Sequence, residues 1–168
     1  MLNHLNLDQF NALGEELKKN RPAARDHFTL NLDWKGGFRS EVTARDFAPF
    51  VIDEPEILGA TNKAPNPVEY LLGGAMGCFT VGVVAGATKE GIQIDSLQVQ
   101  IDADVDMNVF YDMVLGGQHG ITQPVIILKM KADVPVEKLE ELAANSLRLS
   151  PVLNSLKEWP VKIVVEKV

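Results

Sequence analysis

From Leu97 to Asp106 the chain alternates without a break. Leu97, Val99, Ile101, Ala103 and Val105 are apolar, and Gln98, Gln100, Asp102, Asp104 and Asp106 are polar. A period of two sustained over this length predicts a strand with one buried and one wet face. The same period runs through His27 to Trp34, where Phe28, Leu30, Leu32 and Trp34 alternate with Thr29, Asn31 and Asp33. Gly36-Gly37 then turns the chain into a second extended stretch, Phe38 to Arg45, so an antiparallel hairpin is expected. A third extended piece, Phe50 to Asp53, leads into a loop, Glu54 to Pro67, that Pro65 and Pro67 keep out of regular structure. Met107 to Gln123 reads as an irregular loop, and Val125 to Ala132 resumes the extended pattern with Lys129 and Lys131 outward.

Helical spacing appears in four places. Asp8 caps a helix with Phe10, Leu13 and Leu17 on one side, ending near Lys18 to Asn20 before Pro22. Pro135 to Arg148 places Leu139, Leu142, Ala143 and Leu147 on one stripe. Ser150-Pro151, an N-cap followed by a first-turn proline, starts a short helix through Val152, Leu153 and Leu156, and Val161 to Val168 closes the chain as a strand. The fourth helix is apolar on every side. Asn66 is its N-cap, Pro67 its first residue and Glu69 an acid in the first turn, and it ends near Lys89 to Gly91. Gly73 and Gly77, and Gly82 and Gly86, form two pairs spaced four apart. Each glycine weakens a helix by roughly 1 kcal/mol relative to alanine, a cost that close approach of another helix offsets. The order of strands, central helix, strands, helix pair and strand predicts an α+β domain with an antiparallel-rich sheet packed on helices. With no repeat or linker in view, residues 1–168 read as a single domain with residues 1–26 as a peripheral helical extension.

Composition narrows the function classes. Of 168 residues, 46% are hydrophobic and 23% charged, which is ordinary for a globular chain. The formal net charge of −7 opposes a phosphate backbone, so no nucleic-acid partner is expected. Tyr70 to Ala87 carries no charge and reaches the lower limit for a spanning helix. Five glycines in that stretch, and no Lys/Arg excess to orient a span, favour the centre of a protein over a membrane. One cysteine cannot form an internal disulfide, and MLNHLNLDQF lacks a secretory pattern, so a reducing, cytoplasmic setting is expected. His4, His27 and His119 are scattered, no serine sits on a Gly-x-Ser-x-Gly elbow, and Gly116 to Gly120 lacks the Lys-Ser/Thr of a phosphate loop. The reading calls for no metal and no cofactor.

That leaves Cys78, in the middle of the apolar helix. A buried cysteine behaves as a small hydrophobe, and a reactive one needs a cation or hydrogen-bond donor beside its sulfur. The run from Pro65 through Gly77-Cys78, the Lys89-Glu90-Gly91-Ile92 helix end, the Leu97 to Asp106 strand and Ser150-Pro151-Val152-Leu153 resemble the OsmC/Ohr family of thiol peroxidases. The resemblance covers about residues 27 to 168. It implies a two-layer α+β fold with a long buried central helix, in an intertwined homodimer whose sites lie near the subunit interface.

The same resemblance implies site residues. Cys78 matches the position that attacks an organic or inorganic hydroperoxide. The second cysteine of that family, placed before Pro-Val, falls on Ser150, which cannot form a disulfide, so turnover requires an external thiol reductant. An arginine of the early hairpin stabilises the thiolate, for which Arg39 is the candidate and Arg45 the second. The carboxylate that holds this arginine lies ten residues before the cysteine in the Ohr-like branch, where this chain has Val68; Glu69, nine before, resembles other branches. Nine helical residues put Glu69 on the opposite side from Cys78 and roughly 13 Å along the axis, so it serves either a site across a dimer or its own helix cap. Two readings follow. One is a single-cysteine peroxidase of oxidative stress defence, with Cys78, Arg39 and Glu69 as catalytic candidates. The other is a non-catalytic dimer holding a small hydrophobic ligand beside Cys78.

Overall fold

The structure is a computed structural model and describes residues 1–113, 120–156 and 162–167. These group into two compact units, one of Asp8–Gly73 and one of Met1–Leu7 with Gly74–Val168. Residues 114–119 of the expected irregular loop, and the ends 161 and 168 of the closing strand, lie outside the described residues.

In the first unit, α1 (Leu7–Lys19) buries no residue, and β1 (Leu30–Gly36), β2 (Arg39–Ala44) and β3 (Phe50–Ile52) form an antiparallel sheet in that order. The hairpin turns on Gly36, whose φ of 103° only glycine adopts readily, and Trp34 Nε1 donates to Gly37 O at 2.9 Å across it. β1 begins at Leu30, so His27, Phe28 and Thr29 of the expected strand lie outside it, and its apolar residues Leu30, Leu32 and Trp34 stand exposed, Trp34 at 71%. Behind β3, Asp53 closes the loop to Lys63. Its buried carboxylate accepts from the Thr61 hydroxyl and from the Lys63 and Glu54 N–H groups at 3.0 and 2.9 Å. Those bonds, led by Thr61, outweigh burial and hold its pKa down from 3.8 to about 2.

The long helix α2 (Pro67–Lys89) starts and stops where its sequence says. Asn66 Oδ1 accepts from Glu69 N at 2.9 Å while Glu69 Oε2 accepts from Asn66 N at 2.7 Å, a reciprocal capping box. Gly91, at φ 74°, ends it: Gly91 N donates to Thr88 O and Ile92 N to Ala87 O, the two bonds of a Schellman cap. Tyr70 ties the first turn to β3 through its hydroxyl on Val51 O at 2.6 Å.

In the second unit β4 (Ile94–Val105) and β5 (Ile121–Ala132) pair antiparallel, and β6 (Lys162–Lys167) joins β5 in parallel. The parallel step requires a long crossover, which α4 (Val136–Leu149) and α5 (Pro151–Ser155) supply. Two details differ from the sequence reading. Residues 107–110 form a short helix, α3 (Met107–Phe110), because Asp106 caps it through Asn108 N. β5 begins at Ile121 instead of Val125, because a register shift opposite Asp102 and Asp104 absorbs Gln123, at φ 51°, and Pro124, which has no N–H to give a ladder.

The core of this unit lies between α2, α4 and the sheet: Ala75, Phe79, Val83 and Ala87 of α2 meet Leu139, Leu142 and Ala143 of α4 and Ile126, Leu128 and Met130 of β5. The glycine pairs of α2 divide. A Cβ at Gly82 would lie 2.9 Å from Ser146 Cβ, and one at Gly86 3.0 Å from Leu142 Cδ2, so this pair exists for the α4 crossing. At Gly73, Gly74 and Gly77 a Cβ would meet nothing within 4 Å. Among the described residues α2 is the one helix long and apolar enough to cross a membrane, and only 28% of its most apolar window is buried. Within the single chain, then, the expected buried helix buries one stripe.

Two expectations test this packing. Gly82→Ala forces Ser146 aside and lowers unfolding free energy by about 1–3 kcal/mol, measurable by urea denaturation. Asp53→Asn lowers the melting temperature at neutral pH. Because the native pKa is depressed, that stabilisation is complete above 3.8, and the gap between variant and native protein closes as pH falls toward 2.

Candidate functional site

Cys78 sits on α2 one residue before the buried Phe79 and is itself partly accessible. Opposite it is the junction of α4 and α5, where Ser150 ends one helix and caps the next. Ser150 Oγ donates to Cys78 Sγ at 3.0 Å, a contact between residues 72 positions apart, and accepts from Leu153 N at 3.2 Å. The junction is held from both sides. Ser150 N donates to Ser146 O, Asn154 Nδ2 donates to Ser150 O at 2.7 Å, and Ser146 Oγ donates to Phe79 O at 2.6 Å, which locks the end of α4 to the same turn of α2.

The remaining candidates belong to the other unit. Arg39, half-exposed on β2, makes one 3.6 Å contact with Glu41, a carboxylate it shares with Lys35 at 3.2 Å. Arg45 stacks its guanidinium on Phe47, 4.5 Å from the ring centre. Glu69 is engaged in the capping box, one of the two roles its position allows. The structure thus brings Cys78 and Ser150 together and gives Arg39 and Glu69 partners of their own. The Ser150 contact is the feature that sequence reasoning missed. By sequence Ser150 is an N-cap that stands at the place of a second cysteine, and that place is the signal that its side chain reaches Cys78.

Cys78 is thus a partly accessible thiol on a helix, faced by a buried hydroxyl from a helix junction within an α+β unit. The family model described as OsmC-like protein matches residues 60–166, and the chain belongs to that family. Among solved structures, the OsmC-like protein from Mycoplasma pneumoniae superposes with a TM-score of 0.74 at 16% identity, covering 85% of this chain and 98% of that one. An organic hydroperoxide resistance protein from Elizabethkingia anophelis, solved with thiocyanate bound, gives 0.68 at 17% identity over 86% and 98%. At these identities the likeness is one of fold. The uncharacterized protein YmaD from Bacillus subtilis is 26% identical over 149 residues, 85% of this chain and 97% of that protein.

Proposed function

We propose that the protein is a thiol-dependent peroxidase of oxidative stress defence that works through Cys78 alone. The observation carrying this reading is the pairing of the chain's one cysteine with a buried hydroxyl donor, at a partly accessible position of α2. Family membership and the hydroperoxide resistance proteins among its structural neighbours support it. The Cys78 thiolate attacks the terminal oxygen of a hydroperoxide. The O–O bond breaks, the leaving alkoxide takes up a proton as the alcohol, and Cys78 becomes a sulfenic acid. One external thiol condenses with it, releasing water and leaving a mixed disulfide. A second external thiol attacks the sulfur of the first, displacing Cys78 as its thiolate and giving a free disulfide.

Arg39 is the cation proposed to favour the thiolate. Arg45 is already stacked on Phe47, whereas a single 3.6 Å contact holds Arg39. Glu69 is the proposed carboxylate partner of that arginine and fixes the start of α2 at the same time. The working form is proposed to be a cytoplasmic homodimer of one OsmC-like domain per chain, residues 1–26 forming a peripheral extension. The uncovered side of α2, with Gly77 facing open space and Val81 66% exposed, and the exposed apolar face of β1 support a second copy as the partner.

Cys78→Ser is expected to abolish consumption of cumene hydroperoxide with dithiothreitol as reductant. Arg39→Ala is expected to slow it about tenfold or more with an unchanged circular dichroism spectrum. Equal rates in all three proteins leave the ligand-binding dimer as the working reading. Light scattering of protein purified without detergent is expected to give twice the chain mass, and Val81→Arg is expected to return it to that of one chain. A single-chain mass for the native protein, or a requirement for detergent, removes the homodimer.

A further inference from the structure

We propose that Ser150 is a working part of the Cys78 site, its hydroxyl donating to the sulfur and bonding the anionic forms, thiolate and then sulfenate, more strongly than the neutral thiol. This rests on the peroxidase reading for its purpose but on geometry for its substance. A serine hydroxyl has one hydrogen to give and two lone pairs. Leu153 N–H takes one lone pair, and the hydrogen points to Cys78 Sγ at 3.0 Å. The residue has no freedom to turn away. It is 3% exposed, both its backbone groups are bonded, and Pro151 fixes the chain that follows. A cap for α5 needs only an oxygen that accepts; it needs no sulfur in front of the hydrogen.

The chemical consequence is a difference between protonation states. A neutral thiol sulfur is a weak acceptor, whereas a bond to an anion is charge-assisted and about twice as strong as one between neutral groups. The donor therefore favours the nucleophilic form. Once oxygen has been transferred, it still faces the oxidised sulfur and, having no thiol, leaves the sulfenic acid to an external reductant.

The test is the pH profile of Cys78 alkylation by iodoacetamide, which in a chain with one cysteine reports a single sulfur. Ser150→Ala removes the donor and the cap, Ser150→Gly removes the donor but leaves a residue accepted at N-caps, and Ser150→Thr retains both functions. Alanine and glycine variants are expected to react roughly tenfold more slowly than native protein at mildly acid pH, and to converge with it at alkaline pH where every variant is ionised. The threonine variant is expected to follow the native profile. Native-like profiles in both donor-less variants overturn the proposal, as does a uniform slowing at every pH, which marks a structural role. Peroxide consumption is measured separately. A Ser150-dependent alkylation profile in a protein that does not consume cumene hydroperoxide refutes the peroxidase reading and leaves this inference standing.

Discussion

Helix α2 is apolar around its whole circumference, and a helix of that kind must find cover on more than one side. Its own chain covers one stripe, Ala75, Phe79, Val83 and Ala87, against α4 and the β4-β5-β6 sheet. The rest of the architecture around the site depends on how closely that one contact is made. Gly82 and Gly86 let α4 approach until Ser146 and Leu142 touch the α2 backbone surface, and a hydrogen bond from Ser146 to Phe79 O fixes the crossing. Burying the stripe is what brings the far end of α4 to Cys78.

The site follows from where α4 stops. Ser150 terminates α4 in an extended conformation, φ −67° and ψ 116°, and the proline after it starts a new helix in another direction. The residue at such a corner has its side chain free of both helical ladders and available to a third element. Here that element is α2. A cap and a site contact are thus made by the same oxygen, and its position is set by backbone bonds on either side of it.

Much of this was legible in residues. The N-cap at Asn66, the glycine stop at Gly91, the Gly36-Gly37 hairpin and the alternation of β4 each act within a few positions and follow from local chemistry, whereas the sequence left Glu69 open between cap and dimer contact. Where β5 begins was not legible, because Gln123 and Pro124 sit in a bulge whose existence depends on the partner strand. The proline-containing loop did not announce that Asp53 would bury its carboxylate among Thr61 and Lys63, a closure decided by three-dimensional return of the chain. The division of labour between the two glycine pairs was equally hidden. Spacing showed that something should approach, and only the packing says that α4 approaches Gly82 and Gly86 but not Gly77. Cys78 was found by type and family pattern, whereas its contact with Ser150, 72 residues away, belongs to tertiary structure alone.

Ser146 and Ser150 lie one helical turn apart at the end of α4, and they reach two consecutive residues of α2, the carbonyl of Phe79 and the sulfur of Cys78. The first acts as an index mark and the second as the pointer it aligns. Lengthening α4 by one residue between them would rotate the pointer by about 100° and advance it about 1.5 Å, away from the sulfur, while the index stayed in place. The interval between two serines is therefore a phase relation that the chain must keep whatever else varies along α4.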